Sequence, residues 1–163
     1  MRASISVISN RLRSSRKGDR PEQASCYYSF PRLAARGRVR MGEQAHAVTG
    51  TAWMDHEFST APLAEGITGW DWFSIQLDNQ QEIMLYMMRQ ADGTMDPVSS
   101  GTVVLASGQS RHLKLEKSGI QPLAYWTSPK SGARYPVKWR VTIASLALNL
   151  TVEANLEGQE MHT

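Results

Sequence analysis

The chain has 163 residues, of which 41% are hydrophobic and 20% are charged, a length and composition that suit one globular domain, or one domain and part of another. It contains no run of about 18 apolar residues, so the sequence predicts no integral membrane segment. Its single cysteine, Cys26, excludes an internal disulfide and a cysteine-based zinc site.

The net charge of +3 is unevenly distributed. Residues 1–40 carry ten Lys and Arg against two acids, whereas residues 41–163 carry eight against thirteen. A nucleic-acid surface requires basic residues clustered on the folded part, so we expect no nucleic-acid partner. The Arg- and Ser-rich start lacks the hydrophobic stretch of a signal peptide, and we expect residues 1–25 to be a disordered or truncated remnant.

From Tyr27 onward, segments rich in β-forming residues recur about every ten residues, which is typical of a sandwich or barrel. The candidate strands are Cys26–Leu33, Arg36–Met41, Ala45–Met54, Trp70–Leu77, Glu82–Arg89, Thr102–Leu105, His112–Glu116, Leu123–Thr127, Val137–Ile143 and Leu146–Glu153. The candidate turns are Arg36-Gly37, Gly42-Glu43, Asp78-Asn79, Asp92-Gly93 and Ser107-Gly108. The sequence therefore predicts an all-β, mostly antiparallel meander, which can close into a barrel around one small ligand.

Three ionisable residues are adjacent in the run Trp53-Met54-Asp55-His56-Glu57-Phe58. Because side chains alternate along a strand, Asp55 and Glu57 should share one face and His56 the other. These residues could form a proton donor or acceptor at the mouth of a pocket. They could instead form a hydrogen-bonded polar plug that joins two strands, and from these residues alone that interpretation is favoured because polar networks are common in cores.

The next candidate strand places Trp70, Trp72, Ser74 and Gln76 on one face. Two flat apolar side chains followed by two polar ones suit the wall of a ligand cavity. Tryptophans that pack between a barrel and its closing loops would give the same pattern, and the sequence leaves both interpretations open.

The strand Glu82–Arg89 places Met84, Tyr86 and Met88 on one face. Methionines adapt to irregular apolar ligands, although filling a core explains any single one of them. Arg89 is predicted to pair with a carboxylate of a neighbouring strand, the candidates being Asp55, Glu57 and Asp71.

Other chemistries lack their sequence signatures. The four histidines, His46, His56, His112 and His162, do not have metal-ligand spacing. The chain contains no phosphate-binding glycine loop and no serine-hydrolase elbow. We therefore expect neither a metal nor a cofactor.

Several motifs together resemble the carotenoid 1,2-hydratase/AttH family, over about Ser15 to Glu160. They are Tyr27-Tyr28-Ser29-Phe30-Pro31-Arg32-Leu33, Val48-Thr49-Gly50-Thr51-Ala52-Trp53-Met54-Asp55-His56-Glu57-Phe58, Gly69-Trp70-Asp71-Trp72-Phe73, Met84-Leu85-Tyr86-Met87-Met88-Arg89, Tyr125-Trp126-Thr127-Ser128-Pro129 and Tyr135-Pro136-Val137-Lys138-Trp139. The resemblance implies two tandem lipocalin-like barrels in a longer protein. We therefore expect residues 26–52 to end the first lipocalin-like domain and residues 53–163 to form a second, incomplete barrel.

The same resemblance implies two functions. One is binding of a hydrophobic, isoprenoid-like small molecule, with cofactor-free hydratase or isomerase chemistry if the protein is an enzyme. The alternative is a non-catalytic exported accessory protein of an AttH-type ABC-transporter system, periplasmic or exported as a full-length protein.

Hydration of an alkene requires a strong general acid beside an apolar chain. The positions that match catalytic residues are Asp55, His56 and Tyr86, the last as an orienting group. The ligand-binding candidates are Trp53, Glu57, Trp70, Trp72, Gln76, Met84 and Arg89. Met88 departs from the hydratase pattern, because we expect an acid there near the tyrosine.

Overall fold

A computed structural model describes residues 15–16, 24–58, 63–115 and 119–161. Its strands are β1 (Ser15–Arg16), β2 (Ala24–Met41), β3 (Gln44–Phe58), β4 (Ile67–Gln76), β5 (Glu82–Gln90), β6 (Ser100–Val104), β7 (Ser110–Lys114), β8 (Gly119–Thr127), β9 (Arg134–Ile143) and β10 (Leu148–Glu153). A short 3-10 helix, Ala144–Leu146, joins β9 to β10. The prediction of an all-β, antiparallel fold is confirmed.

The chain divides into two compact units, Met1–Leu113 and Lys114–Thr163. The first unit contains the sheets β1-β2-β3 and β4-β5-β6-β7, and the second contains the sheet β8-β9-β10. Strand β7 ends at the boundary between the units. These sheets are open and not closed into a barrel. Of the N-terminal segment predicted to be disordered, Ser15–Arg16 pair with β2, while most of the rest lies outside the described residues.

Strands β2 and β3 form one long hairpin that turns at Gly42-Glu43, where Gly42 has a φ of 59°. The predicted turn at Arg36-Gly37 is wrong. Gly37 pairs directly with Val48 inside the ladder, so the glycine lies within a strand. The strand predicted to end at Met54 continues to Phe58. The domain boundary predicted between residues 52 and 53 lies within this strand.

A bulge interrupts the β2–β3 register between Phe30 and Leu33. Pro31 lies within it, and proline has no N–H to donate to a ladder, so a bulge is where it fits. Arg32, also in the bulge, donates from Nε to the Glu82 carboxylate at the start of β5 and from Nη2 to the Leu77 carbonyl at 2.9 Å. These contacts join the two sheets of the first unit.

The centre of the second sheet is strongly buried. Ile83, Leu85 and Val103 are all 0% exposed, which fits strands that have a hydrogen-bonded neighbour on both sides. On the opposite face of β5 and β6, Met84 and Val104 form a small apolar cluster. Tyr27, Trp53 and Tyr86 pack against it.

The second unit is a three-stranded meander. Val141 and Ile143 are buried while Arg140 between them is exposed, as the predicted period-two pattern of β9 requires. The Glu160 carboxylate accepts hydrogen bonds from the hydroxyls of Ser131 and Tyr135, at 2.6 Å and 2.8 Å. It also accepts one from Ser128, and this fastens the segment that follows β10 to the β8–β9 hairpin.

Replacing Arg32 tests the link between the two sheets. The Glu82 side chain is 4% exposed, whereas that of Arg32 is 36% exposed, so the pair lies between a surface and a buried salt bridge. We expect Arg32→Ala to lower the free energy of unfolding by about 1–3 kcal/mol, measured by urea denaturation. Much of that loss arises because Arg32→Ala leaves the buried Glu82 carboxylate without a counter-charge. Adding Glu82→Gln to the same chain should therefore restore part of the free energy of unfolding. Additive effects of the two substitutions would contradict this account.

Candidate functional site: an apolar cleft between two sheets

A small cleft, partly open to solvent, lies in the first unit between the β2–β3 hairpin and the β4–β5 pair. It is lined by Tyr27, Glu57, Trp70, Trp72, Met84, Tyr86 and Met88. Strands β4 and β5 contribute alternate residues, because side chains two apart on a strand share a face, whereas β2 and β3 contribute one residue each. The faces expected for β4 and β5 are therefore the faces that form the cleft.

The apolar walls combine exposed and buried side chains. Trp70 and Trp72 remain 53% and 38% exposed, which is unusual for tryptophans that only fill a core. Trp53 contacts Trp72 edge to face, with ring centroids 6.2 Å apart. Met84 and Met88, 5% and 2% exposed, form the floor. Flat rings around flexible thioethers suit an apolar molecule.

A hydrogen-bond network lies along the wall formed by β2 and β3. Asp55 accepts from the Ser29 hydroxyl and from Trp53 Nε1, the latter at 2.8 Å. The Asp55 carboxylate also influences the Tyr27 hydroxyl, whose pKa it helps to raise, and the Tyr27 oxygen accepts from Trp72 Nε1 at 3.1 Å. Asp55 itself is not a lining residue. Its visible effect is to hold Tyr27, Trp53 and Ser29 in place.

The Tyr27 phenol has a perturbed acidity. Burial of the hydroxyl, followed by its hydrogen bond to Asp55, raises the pKa of Tyr27 well above the ordinary phenol value. Both causes disfavour a negative charge on the oxygen. Tyr27 therefore stays protonated throughout the physiological range and can take part in the cleft as a hydrogen-bonding group.

Tyr86 occupies the opposite wall, on β5. Its hydroxyl oxygen accepts a hydrogen bond from Ser100 Oγ at 2.7 Å. Ser100 is 9% exposed and is the direct cross-strand partner of Tyr86 on β6.

The structure separates the candidate catalytic residues Asp55, His56 and Tyr86. His56 lies on the other face of β3, where its ring stacks on Tyr28 with centroids 5.1 Å apart. The opposite orientation of Asp55 and His56 follows from strand alternation. Tyr86 and Asp55 are on the cleft side, the first as a lining residue and the second behind Tyr27, whereas His56 is exposed and does not line the cleft.

Three of the predicted ligand-binding residues, Trp53, Gln76 and Arg89, make structural contacts instead of lining the cleft. Trp53 packs edge to face against Trp72. Gln76 donates to the Pro31 carbonyl at 2.6 Å and accepts from the Thr51 hydroxyl. Arg89 forms an ion pair with Asp71, one of its three predicted partners. Gly69 leaves room for that arginine, since a Cβ there would lie 2.9 Å from Arg89 Nη2.

Sequence reasoning did not select Tyr27 or Ser100. Tyr27 and Tyr28 are adjacent, and without the register of β2 against β3 no pattern shows which of them faces inward. Ser100 is an ordinary serine until its pairing with Tyr86 is known. Met88, singled out in the sequence as a departure from the hydratase pattern, is part of the cleft floor.

The described ranges contain no group of three or more His, Cys, Asp or Glu side chains arranged to hold a metal ion; His162 lies outside them. Across the same residues, no helix has the length and apolar character needed to cross a bilayer.

Antiparallel sheets enclosing an apolar cleft with a few polar groups define a lipocalin-like class of fold. The AttH-like family model matches residues 4–163, so the chain belongs to the AttH-like family. The family resemblance seen in the sequence is thereby confirmed. No curated protein sequence matches the chain significantly.

Two solved structures share this fold. An AttH protein from Nitrosomonas europaea is 35% identical, with a TM-score of 0.73 over 80% of this chain and 40% of that one. Kievitone hydratase from Nectria haematococca is 16% identical, with a TM-score of 0.67 over 85% of this chain and 43% of that one. The chain thus spans about two fifths of the length of each. The hydratase shows likeness of fold alone.

The raised pKa of Tyr27 predicts a specific pH dependence of stability. An unfolded tyrosine loses its proton near pH 10, whereas folded Tyr27 keeps its proton there. Above that pH the unfolded state binds fewer protons, so the free energy of unfolding should fall as pH rises. Tyr27→Phe should remove this part of the decline.

The measurement is urea denaturation at several pH values around 10, with Tyr28→Phe as the matched control. Tyr28 is the adjacent tyrosine on the opposite face of β2, and its replacement leaves Tyr27 intact, so that variant should decline like the unmodified chain. An equal decline in Tyr27→Phe and the unmodified chain would contradict the proposed environment of Tyr27.

Proposed function

We propose that the cleft binds a hydrophobic small molecule, of isoprenoid-like size and polarity. The observation that carries this proposal is the exposure of Trp70 and Trp72 beside Met84 and Met88, on the same face of the β4–β5 pair. Apolar walls with a few fixed polar groups are the usual composition of a small-molecule site.

The polar groups of the cleft support the same proposal. Tyr27, Tyr86 and Glu57 line an otherwise aromatic and aliphatic surface, and both tyrosine hydroxyls are fixed by neighbouring side chains. Fixed polar groups orient a ligand at a smaller entropic cost than mobile ones. The arrangement favours an apolar molecule that carries a limited number of oxygen atoms.

The test uses the neutral dye N-phenyl-1-naphthylamine, whose fluorescence rises in apolar sites. Trp70→Ala should weaken binding about tenfold, equivalent to ~1.4 kcal/mol, because the ring covers one side of the cleft. Phe58→Ala is the matched control, since Phe58 is similarly exposed at 55% but belongs to the aromatic face of β3 that carries His56.

Two outcomes would contradict the proposal. The unmodified chain could fail to bind the dye at all. Alternatively, Phe58→Ala could lose binding while Trp70→Ala keeps it, which would place the dye on the aromatic face instead of in the cleft. Thermal unfolding of each variant separates loss of binding from loss of fold.

Hydratase-type chemistry is a second candidate, favoured by the position of Glu57, whose side chain lines the cleft beside the two tyrosines. In such a reaction a carboxyl proton is transferred to one alkene carbon. Water then adds to the other carbon and returns a proton to the carboxylate. Glu57 is better placed for this role than His56, which lies on the opposite face of β3.

Incubation with geraniol in ¹⁸O-labelled water, followed by mass spectrometry, tests this chemistry. Glu57→Gln should lower product formation by about 100-fold or more while dye binding persists, and His56→Asn should have little effect. Absence of labelled product from the unmodified chain, or full activity of Glu57→Gln, would exclude Glu57 as the acid for this class of substrate.

The role in an AttH-type transporter system, which the family resemblance implies, stays a prediction. No contact among the described residues bears on a transporter partner, and the binding proposal is compatible with such a role.

A further inference from the structure

The two tyrosines of the cleft have different hydrogen-bond surroundings. The Tyr27 hydroxyl on β2 accepts from Trp72 Nε1 at 3.1 Å, and the nearby Asp55 carboxylate contributes to the raised pKa of Tyr27. The Tyr86 hydroxyl on β5 accepts from Ser100 Oγ at 2.7 Å. Within the described part of the chain, Ser100 is the hydrogen-bond partner of the Tyr86 hydroxyl.

A phenol carries one proton, so these partners determine what each tyrosine can offer a ligand. The Tyr27 hydroxyl has a carboxylate, that of Asp55, as its neighbour. The Tyr86 hydroxyl is instead paired with the Ser100 hydroxyl, and when Ser100 is the donor the Tyr86 proton is left for another acceptor. Tyr86 is therefore the hydroxyl able to donate to a bound molecule, although both side chains are tyrosines.

The location of Ser100 keeps its hydroxyl beside the Tyr86 phenol. It is directly opposite Tyr86 in the β5–β6 ladder and nearly buried, so its hydroxyl is held against the phenol. The adjacent Ser99 has another role, because its Oγ accepts the Met88 backbone N–H at 2.9 Å.

We propose that Ser100 is a positioning residue: by donating to Tyr86, it directs the Tyr86 proton to an oxygen of the ligand. The cleft then selects apolar molecules that carry a hydrogen-bond acceptor, such as a ketone carbonyl, over plain hydrocarbons. This inference rests on the proposed binding function and specifies its ligand class.

The test compares benzophenone with diphenylmethane, which differ only by a carbonyl in place of a methylene. Each is measured by displacement of N-phenyl-1-naphthylamine, and the quantity of interest is the ratio of the two affinities. Comparing this ratio between variants removes the different hydration of the two probes. Tyr86→Phe should lower the preference for the ketone about fivefold, the effect of one hydrogen bond.

Ser100→Ala should lower the same preference, by about two- to fivefold, and Ser100→Thr should restore it because threonine keeps the hydroxyl. Ser110→Ala is the control, since Ser110 is an exposed serine on β7 outside the cleft. Thermal unfolding is recorded for each variant. If Ser100→Ala does not fold, the ratio in Tyr86→Phe and Ser100→Thr decides the question.

The opposite sign would overturn the inference. If Ser100→Ala raises the ketone preference, the Tyr86 proton was directed at Ser100 and not at the ligand. An unchanged ratio in Tyr86→Phe or Ser100→Ala would equally overturn it and leave Ser100 as a strand-pairing residue. Failure of both probes and the dye to bind the unmodified chain would instead refute the proposed function, so the two failures are distinguishable.

Discussion

The cleft depends on the contact between Arg32 and Glu82. Two open sheets form a site only if something fixes the distance between them, and Arg32 does so by reaching from the β2 bulge to the start of β5 and to the end of the β4 segment. The bulge at Pro31 makes this reach possible, because a regular ladder would leave the arginine in the ordinary alternation of β2. Gln76 supports the same joint through the Pro31 carbonyl. A local irregularity in one hairpin thus helps to set the spacing of the two sheets, together with the Trp72–Tyr27 and Thr51–Gln76 hydrogen bonds.

Strand alternation decides the chemistry that the run 53–58 can perform. Asp55 and Glu57 face the cleft side of β3, and His56 faces away and stacks on Tyr28. An acid–histidine pair made of neighbouring residues on one strand cannot act on one ligand, since adjacent side chains lie on opposite faces. Within the described residues the carboxylates therefore carry whatever polar function this strand has, and the histidine contributes to an aromatic surface.

The sequence was sufficient for the fold class and for the faces of β4 and β5, because both follow from a period of two that local residue types display. It was insufficient for Tyr27, for Ser100 and for the partner of Arg32, because each depends on which strands pair and in what register. The mistaken turn at Arg36-Gly37 has a related origin. Glycine permits a turn, but whether the chain turns there depends on the partner strand, and Val48 continues the ladder opposite Gly37.

Residue identity alone also fails to define the polarity of the site. Tyr27 and Tyr86 are chemically the same, yet the first has a carboxylate neighbour and the second is hydrogen-bonded to a serine hydroxyl. Burial and the Asp55 hydrogen bond keep Tyr27 neutral, so the cleft gains no charge from it. Membership of the AttH-like family therefore determines the fold. The side chains that contact the polar groups of the cleft determine which hydrogen bonds those groups can offer. If the cleft binds a ligand as proposed, residues such as Ser100, which do not line it, can set its selectivity through the groups that do.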